Sequence, residues 1–516
     1  MTHPADLQPS APHALRHIVI LGGGTSGWLA ASMLSRHLKP ANCRITLIES
    51  TQLGRIGIGE STIPPFVGLL KSLGVDEQDF IRKTGASFKL GIRFLDWKTR
   101  NSEYFHPFGV IGSRIDSQDF YQCWLKSRHM GNDWDLQDFS PCAAMAAQNR
   151  FMSPSMARHS PIGGAGYALH VDAHRLADYF HRYAEAAGVT RVEGMVDAVE
   201  QHPDTGHIRS LHLADGRTLE GDFFIDCTGF RSLLLGEKLG VRHEDWSDFL
   251  PCDRAVAVKS DYHTSIPPYT QATARDCGWS WRIPLEQSTG YGYVYASRFC
   301  PDERARRQLL KFIEGSPIND VRVIPFTTGC REVLWSKNCM ALGLAAGFIE
   351  PLESTAIHLV ARGVDFFLRY FPDRHCQPAL VAEYNRRMRA DFEEVRDFVL
   401  LHYCATRRDD SAFWQDCQRR PLPSSLQDRI ALFRAGGALR EGTDELFRQY
   451  SWQSVFEGMG IRPDYYNPRV DNTDFALIQH SLGNARQAIA NMVKTLPTHE
   501  QFLADIHRQP PLSKRA

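Results

Sequence analysis

The chain has 516 residues, 43% hydrophobic and 23% charged, which is enough to bury a substantial core in one large domain or several modest ones. Its 59 Lys and Arg residues balance 59 Asp and Glu residues, and a chain without net charge has no overall field to attract nucleic acid. Because no stretch approaches the ~18 apolar residues of a membrane span, and Met1–Arg16 lacks the apolar core of a signal peptide, we expect a cytoplasmic protein that binds neither membranes nor nucleic acids.

The first clear pattern along the chain is a strand, a glycine-rich turn and a helix. Residues 18–21 are apolar and predict a strand, Gly22–Gly27 forms the turn, and a helix is expected up to Leu38. A second strand over Arg44–Ile48 ends at Glu49, which is placed to accept hydrogen bonds from a ribose hydroxyl. This order is typical of a dinucleotide-binding βαβ unit, with a purely structural glycine turn as the alternative.

The three glycines of the motif have different physical roles. Gly22 permits the tight turn, Gly24 lets the backbone approach a pyrophosphate, and Gly27 allows the helix to pack closely on the strand. The pyrophosphate would lie on the positive end of the helix that begins near Ser26.

The motif alone does not separate FAD from NAD. A second glycine-containing segment, Asp226–Gly229, lies far downstream and favours FAD, because an extended FAD contacts a chain at several remote places. The strand predicted over Val192–Val196 offers a backbone segment for the adenine, with Val196 as a candidate contact. Alternating strands such as Leu250–Ser260 and Tyr291–Ser297 predict an antiparallel sheet inserted between the FAD-binding pieces.

The chain has 12 cysteines, spread from Cys43 to Cys417 without a C-x-x-C pair. In a chain of this length they are typical of reduced core thiols in a cytosolic protein, and we predict no metal site.

Three further segments carry a resemblance to a known family. The first is Gly278–Pro284, with the sequence GWSWRIP; the second is Gly57–Pro64, followed by Ser87–Phe94; the third is Phe348–Ile357, with the sequence FIEPLESTAI. Together with the glycine-rich turn, their order and spacing resemble the flavin-dependent tryptophan halogenase family over nearly the whole chain.

The resemblance implies an FAD-binding core of the three-layer, glutathione-reductase-like (Rossmann-type) α/β fold, elaborated by the inserted sheet. We predict this core over residues 16–377, a mostly helical region over 378–507 that completes the substrate pocket, and frayed ends over 1–15 and 508–516. Amphipathic runs at Val381–His402, Ser424–Ala435 and Phe475–Val493 predict the C-terminal helices. The predicted FAD contacts are Gly22, Gly24, Thr25, Ser26, Gly27, Glu49, Ile58, Val196, Gly229, Leu344 and Ile357.

Lys89 is the catalytic lysine that the resemblance implies. In the family, reduced FAD (FADH2), O2 and a chloride or bromide ion give hypohalous acid, which crosses an internal tunnel to the lysine. There an ammonium would polarise the hypohalous acid, or a neutral amine would form a haloamine. From the alternation of Phe88, Leu90 and Ile92 alone, Lys89 would be an exposed side chain on the polar face of a strand.

Glu353 is the second implied catalytic residue, because a fixed carboxylate can oppose the positive charge on the ring and accept its proton. Thr355 and Ala356 fall where the family binds halide through backbone N–H groups, at a predicted helix N-terminus. The best-known members have glycine where this chain has Ala356, whose methyl group could narrow the site or disfavour a positive φ.

The resemblance also implies an aromatic substrate pocket, in which His106 and Phe108 hold an indole between their faces. Trp279 and Trp281 lie on one face of a predicted strand and are either a barrier between flavin and substrate or ordinary core residues. Residues 453–460 resemble members without the lid that grips free tryptophan, so we expect an open pocket for indole or larger indole derivatives. The predicted substrate contacts are His106, Pro107, Phe108, Ser354 and Trp452.

Two other classes share the glycine-rich unit: an FAD-dependent aromatic hydroxylase, and a flavin-binding redox module with a decayed site. The hydroxylase has no use for Lys89 or an anion site at Thr355, and intact Lys89 and Glu353 argue against decay. Because no second βαβ unit for NAD(P)H is evident, we expect a separate flavin reductase to supply FADH2. A homodimer is the family's usual state.

Overall fold

The computed structural model describes residues 13–53, 59–261, 265–440, 442 and 444–508, which form 22 strands and 14 α-helices. The strands in chain order are β1 His17–Leu21, β2 Arg44–Glu49, β3 Glu60–Ser61, β4 Ser87–Lys89, β5 Gly91–Leu95, β6 Glu103–Pro107, β7 Ala168–Val171, β8 Thr190–Glu193, β9 Val196–Gln201, β10 Ile208–Leu213, β11 Thr218–Glu220, β12 Phe223–Asp226, β13 His243–Asp245, β14 Arg254–Ser260, β15 Thr270–Arg275, β16 Gly278–Pro284, β17 Thr289–Tyr295, β18 Arg322–Pro325, β19 Gly329–Arg331, β20 Trp335–Ser336, β21 Cys339–Ala341 and β22 Gly347–Phe348. The helices are α1 Thr25–His37, α2 Pro65–Ser72, α3 Glu77–Thr84, α4 Phe120–His129, α5 Pro141–Ala147, α6 Ala173–Ala186, α7 Asp302–Phe312, α8 Ala356–Arg369, α9 Pro378–Cys404, α10 Ala412–Arg419, α11 Ser424–Gly436, α12 Gln449–Met459, α13 Phe475–Thr495 and α14 His499–Arg508.

A six-stranded sheet in the order β20-β21-β12-β1-β2-β8 forms the centre of the fold. Its strands run parallel except at the β20–β21 edge. β1 and β2 are nearly continuous apolar runs because strands in the middle of a parallel sheet are covered on both faces. The predicted β1–α1–β2 unit is therefore present with its predicted boundaries to within one residue.

Layers on this sheet complete the predicted Rossmann-type core. α1 packs against α6 and α8, and the three-stranded sheet β11-β10-β9 is tied to the central sheet by the buried Asn338. The Asn338 amide accepts a hydrogen bond from the N–H of Ile208 and donates to the carbonyl groups of Ile208 and Asp222. The predicted α/β fold class is confirmed.

The predicted inserted sheet has seven strands, in the order β18-β14-β17-β16-β15-β5-β6. It is antiparallel except where β15 runs parallel to β5, so the expectation of a wholly antiparallel sheet was wrong at this pair. The exception arises because β5 comes from an earlier part of the chain and joins the insertion at its edge. The GWSWRIP segment forms β16, in the middle of this sheet.

The sequence had indicated a single strand around Lys89, but the structure has two strands there, β4 and β5. β4 pairs with β7 in a small sheet with β3, whereas β5 pairs with β6 and β15 in the seven-stranded sheet. The chain changes sheets at Leu90, whose N–H donates to the carbonyl of Pro268. Residues 86–92 are all buried, so Lys89 does not lie on an exposed polar face.

The C-terminal part is helical from Pro378, as predicted, and α9 is its longest helix. Every residue from 395 to 403 of α9 is buried, because α8, α10, α11 and α12 pack around it. At the other end of the chain, Leu15 is buried and the carbonyl of His13 accepts a hydrogen bond from the N–H of Arg374, so residues 13–15 are packed rather than frayed. Arg508, the first residue of the predicted frayed C-terminal end, is the last residue of α14, and residues 1–12 and 509–516 lie outside the described residues.

Candidate functional site

A cavity of about 1030 Å³ opens at the carboxyl ends of the parallel strands, beside the glycine-rich turn. Ligand sites typically enclose ~300–1,000 Å³, so this cavity suits a large cofactor. A Cβ atom on Gly24 would meet no atom within 4 Å among the described residues beyond its chain neighbours, so the backbone there faces open space. A Cβ on Gly27 would lie 1.9 Å from the carbonyl oxygen of Gly22, so this glycine is required for close packing of α1.

The cavity brings together nearly all residues that the sequence analysis assigned to FAD. Gly22 has φ of 115°, which only glycine adopts readily at a tight turn. Gly27 packs behind the cavity instead of lining it, and Ile58 lies outside the described residues. The predicted contacts that line the cavity are Gly22, Gly24, Thr25, Ser26, Glu49, Val196, Gly229, Leu344 and Ile357.

Val196 lines the cavity. The sequence had suggested one strand over Val192–Val196, but Val196 does not continue the strand that contains Val192. β8 ends at Glu193 in the central sheet, and Val196 begins β9 in the three-stranded sheet. The chain leaves the central sheet at Gly194, whose N–H donates to the carbonyl of Glu49.

Glu49 is held at the end of β2 by two side chains. Its carboxylate accepts hydrogen bonds from the Nε of Arg191 at 2.6 Å and from the indole Nε1 of Trp28 at 3.3 Å. Both partners fix the position of this acid on the cavity wall, and the open backbone at Gly24 lies on the same wall. The donor and acceptor set therefore fits a dinucleotide with a ribose at Glu49 and a pyrophosphate over the turn.

The segment after β22 forms a second helix N-terminus on the cavity. Residues Pro351–Glu353 make one 3-10 turn, Ser354 has a left-handed backbone with φ of 61°, and Thr355 is the N-cap of α8. Within the described residues, the amides of Thr355 and Ala356 donate to no other backbone group. Ala356 does not have a positive φ, so its methyl group causes no backbone strain, and both residues line the cavity as an anion site would require.

Lys89 is completely buried behind this segment. Its Nζ donates to the carbonyl oxygen of Thr62 and to the hydroxyl of Ser354, each at 3.0 Å, and lies 5.1 Å from the ring centre of Phe108. Burial lowers the pKa of Lys89 to about 7, although Glu353 acts in the opposite direction. An amine that changes charge near neutral pH is typical of functional sites.

Glu353 lies between two buried histidines. Its Oε2 is 2.9 Å from the Nδ1 of His106, and its Oε1 is 3.2 Å from the Nε2 of His402 in an ion-pair contact. Burial by itself would raise the pKa of Glu353, but the two histidines lower it to about 2. The Nδ1 of His402 also lies 3.0 Å from the carbonyl oxygen of Phe398, and this second contact fixes the orientation of the ring.

The expectation that His106 and Phe108 hold a planar ring between their faces was wrong for this arrangement. Their rings lie at 71° to each other with centres 6.4 Å apart, so they cannot both face one planar guest. His106 is instead turned so that its Nδ1 binds Glu353, and its buried Nε2 has no partner among the described residues. Pro107 is buried at the end of β6, where it pairs with Gly91.

Trp452 is connected to His106 by the ring of Phe398, which contacts both side chains. The ring of Phe398 lies 5.5 Å from His106 and 4.7 Å from Trp452, centre to centre. Trp452 is buried on α12, and its indole Nε1 has no hydrogen-bond partner within the described part of the chain. Ser354 thus lines the large cavity and bonds Lys89, whereas Lys89, Glu353, His106, Phe108 and Trp452 do not line that cavity.

Trp279 and Trp281 both line the cavity, as expected for side chains on one face of β16. Their ring centres are 5.9 Å apart. The indole Nε1 of Trp279 donates to the Oε2 of Glu350 at 2.6 Å. Burial raises the pKa of Glu350 to about 7, partly offset by hydrogen bonds from Tyr403 and Trp279.

Sequence reasoning missed four residues of this region: Thr62, Arg191, Glu350 and His402. Glu350 was the easiest to find, since it lies in the same motif as Glu353. His402 gave no signal, because a histidine in an amphipathic helix is usually an ordinary core residue. Within the described residues, no group of three or more His, Cys, Asp and Glu side chains could hold a metal ion, and no helix is long and apolar enough to cross a membrane.

Comparison with known sequences decides the family. The sequence profile described as tryptophan halogenase matches residues 17–474. The chain belongs to the tryptophan halogenase family. It is therefore an enzyme of the flavin-dependent halogenase class, and the predicted resemblance is confirmed.

Members of this family are similar to the chain over almost its whole length. The solved structure of BrvH, a flavin-dependent halogenase from Brevundimonas sp. BAL3, is 41% identical with a TM-score of 0.91, covering 95% of this chain and 99% of that one. Xcc4156, a flavin-dependent halogenase from Xanthomonas campestris, is 41% identical with a TM-score of 0.91, covering 96% and 100%. Tryptophan 7-halogenase RebH from Lentzea aerocolonigenes is 31% identical over 95% of this chain and 98% of its own length.

Proposed function

We propose that this halogenase uses FADH2 and O2 to oxidise bromide or chloride, and that Lys89 positions the halogen for transfer to an indole or another electron-rich aromatic ring. The observation that carries the proposal is the buried amine of Lys89, separated from the cavity by the hydroxyl of Ser354. Reduced FAD in the cavity would supply two electrons and two protons, with which O2, a halide ion and one further proton give hypohalous acid and water.

The residues around the cavity would hold the cofactor and the halide at separate places. The glycine-rich turn at Gly24 would accept the pyrophosphate, and Glu49 would accept the ribose hydroxyl. The amides of Thr355 and Ala356 would bind the halide ion, because a helix N-terminus offers N–H donors and partial positive charge together.

Lys89 can act on hypohalous acid with the N–H donor that the described residues leave unused. An ammonium group has three N–H donors, and Thr62 and Ser354 take two of them. The third would donate to the oxygen of hypohalous acid and so make its halogen more electrophilic. The ring carbon then bonds to the halogen, the oxygen–halogen electron pair leaves with the oxygen, and a proton converts that oxygen to water. In the alternative, a neutral amine would form a haloamine.

Glu353 would stabilise the ring cation and take the proton that the ring loses. Its carboxylate remains ionised because His106 and His402 lower its pKa to about 2. A preorganised charge in a site that excludes water is worth far more than in bulk solvent. His402 would act as a positioning residue, since its other nitrogen is fixed on the carbonyl of Phe398.

The substrate pocket would be formed by Phe108, Pro107, Trp452 and the Nε2 of His106, which has no hydrogen-bond partner among the described residues. Since the Nδ1 of His106 binds Glu353, its Nε2 would be the ring atom that hydrogen-bonds a polar group of the substrate. We expect FADH2 to arrive from a separate flavin reductase, because the described residues hold one glycine-rich βαβ unit at this sheet.

Incubation of the enzyme with FADH2, O2, bromide and indole, followed by mass spectrometry, tests the proposal. Bromoindole is the expected product. Hydroxyindole would indicate an aromatic hydroxylase instead, and unchanged indole with full oxidation of FADH2 would indicate a flavin-binding module without halogenase activity.

A substrate panel tests the open pocket. Under the same conditions, we expect kcat/KM for indole or larger indole derivatives to exceed that for free tryptophan. A clear preference for tryptophan would contradict the open pocket, while leaving the halogenase reaction intact.

A further inference from the structure

Glu350 is a buried carboxyl group that the proposed reaction does not use. It is completely shielded from solvent and lies three residues before Glu353. Its Oε2 accepts two hydrogen bonds of 2.6 Å, one from the indole of Trp279 and one from the hydroxyl of Tyr403. Hydrogen bonds this short are typical of a charged acceptor. One oxygen atom thus fixes two aromatic side chains from different parts of the chain.

The two aromatic partners of Glu350 belong to different walls of the site. Trp279 lines the cavity, whereas Tyr403 follows His402 on α9, and His402 contacts Glu353. The ring of Trp97 fills the space between these residues, with centres 6.3 Å from Trp279, 5.7 Å from His402 and 5.5 Å from Tyr403. A shift of the Trp279 ring would therefore move Trp97 against His402, the histidine that contacts Glu353.

The other end of β16 is tied to the Lys89 strand. The hydroxyl of Ser87, two residues before Lys89, donates to the carbonyl oxygen of Pro284 at 2.5 Å. β16, the strand formed by the GWSWRIP motif, is thus bonded through Trp279 to the segment that carries Glu353, and through Pro284 to the strand that carries Lys89. These contacts give the motif a structural role beyond the bulk of its tryptophans.

We propose that Glu350 is a positioning residue that holds Trp279 and Tyr403 together. It thereby keeps Trp279, on the wall of the FAD cavity, in a fixed position relative to Glu353 and Lys89. This inference rests on the proposed halogenase reaction. Loss of the carboxyl would leave the indole N–H of Trp279 buried without its acceptor, and the Tyr403 hydroxyl with only the sulfur of Cys252, 3.6 Å away, so both rings would turn to find a better acceptor. Oxidant made in the cavity would then be lost to water instead of reaching the aromatic substrate.

A single-turnover measurement compares wild type with Glu350→Leu and Glu350→Gln. FADH2 is bound anaerobically to excess enzyme and mixed with O2, bromide and indole; bromoindole, hydrogen peroxide and trapped free hypobromite are counted per bound flavin. We expect Glu350→Leu to give roughly tenfold less bromoindole per bound flavin and correspondingly more peroxide or free hypobromite. Glu350→Gln should stay within about threefold of wild type, because its amide oxygen can still accept both hydrogen bonds.

Counting per bound flavin separates positioning from loss of folded protein, since unfolded molecules bind no flavin. Glu77→Leu is a matched control: it removes the acceptor of another tyrosine hydroxyl, that of Tyr167, and should lower the melting temperature without changing the yield per bound flavin. If Glu350→Leu does not bind flavin, Tyr403→Phe carries the test, because it removes one of the two donors; we expect its yield to fall about threefold.

The inference fails if Glu350→Leu, or Tyr403→Phe in its place, gives the wild-type yield. It also fails if Glu350→Gln loses as much yield as Glu350→Leu, since the hydrogen-bond acceptor would then not be what matters. Absence of bromoindole from the wild type would instead overturn the proposed function, and this inference with it.

Discussion

Lys89 and Ser354 are joined by a hydrogen bond of 3.0 Å from the amine to the hydroxyl. Ser354 lines the cavity, while Lys89 lies behind it without exposure to solvent. The serine backbone is left-handed, with φ of 61°, a conformation that costs a non-glycine residue on the order of 1 kcal/mol or more. Such strain, held between the candidate halide site and the lysine, indicates that the position of this hydroxyl matters for function.

Replacing the carboxylate of Glu353 tests its role toward the ring. We expect Glu353→Gln to slow bromination of indole by roughly 10²–10⁴-fold, because the amide neither opposes the ring charge nor takes the proton. Oxidation of FADH2 should be unchanged, since Glu353 does not line the cavity. The comparison of kcat for bromoindole with the rate of flavin oxidation checks this, with the exposed Glu303→Gln as control. A bromination rate within twofold of wild type would remove Glu353 from the reaction.

Two alanine substitutions in the glycine-rich turn should have different effects. Gly24→Ala should leave the melting temperature of the flavin-free protein unchanged, because in the described part of the chain the new methyl group meets no atom within 4 Å beyond its sequence neighbours. Its FAD affinity should fall by about tenfold or more, because the methyl occupies the space of the pyrophosphate.

Gly27→Ala should instead destabilise the flavin-free protein, since its methyl would lie 1.9 Å from the carbonyl oxygen of Gly22. Thermal unfolding without FAD and titration with FAD measure the two quantities. Unchanged FAD affinity in Gly24→Ala would place the pyrophosphate elsewhere.

The buried amine of Lys89 should make stability depend on pH. Its pKa is lowered from the usual 10.5 to about 7 by burial, so between these values the unfolded chain binds the proton that the folded protein releases. The free energy of unfolding therefore rises with pH across this window, by roughly 2 kcal/mol from pH 7 to 9.

Urea denaturation of flavin-free wild type and Lys89→Met at both pH values checks this, because the other titrating groups cancel in the difference. We expect the difference between the two proteins to shift in favour of the wild type as the pH rises. Parallel pH curves for the two proteins would mean that the amine titrates normally.

The local parts of the fold could be predicted from the sequence. The β1–α1–β2 unit and the helices α9, α11 and α13 follow from short-range patterns of apolar residues and glycine, and their boundaries were nearly correct, whereas α10, α12 and α14 were not predicted. The change of sheets at Leu90 could not be predicted, because it depends on distant partners: Ala168 opposite Lys89, and Thr270 opposite Ile92.

The same distinction holds for the site. Lys89 and Glu353 could be named because they lie in motifs that resemble a family. The orientation of His106 toward Glu353 could not, since alternation along β6 says nothing about a segment 247 residues away. The contacts of His402 and Tyr403 could not be predicted from sequence patterns for the same reason. Their partners come together only when α9 packs against the Glu350–Glu353 segment.

The proposed function depends most on Lys89, whose amine would direct to the substrate the halogen of hypohalous acid formed in the FAD cavity. Wild type, Lys89→Met and the exposed control Lys83→Met are each supplied with FADH2, O2, bromide and indole, and bromoindole is measured beside flavin oxidation. We predict bromoindole from wild type and Lys83→Met, and none from Lys89→Met although it oxidises FADH2 at the wild-type rate. Bromoindole formed by Lys89→Met at a rate near that of the wild type would contradict the account.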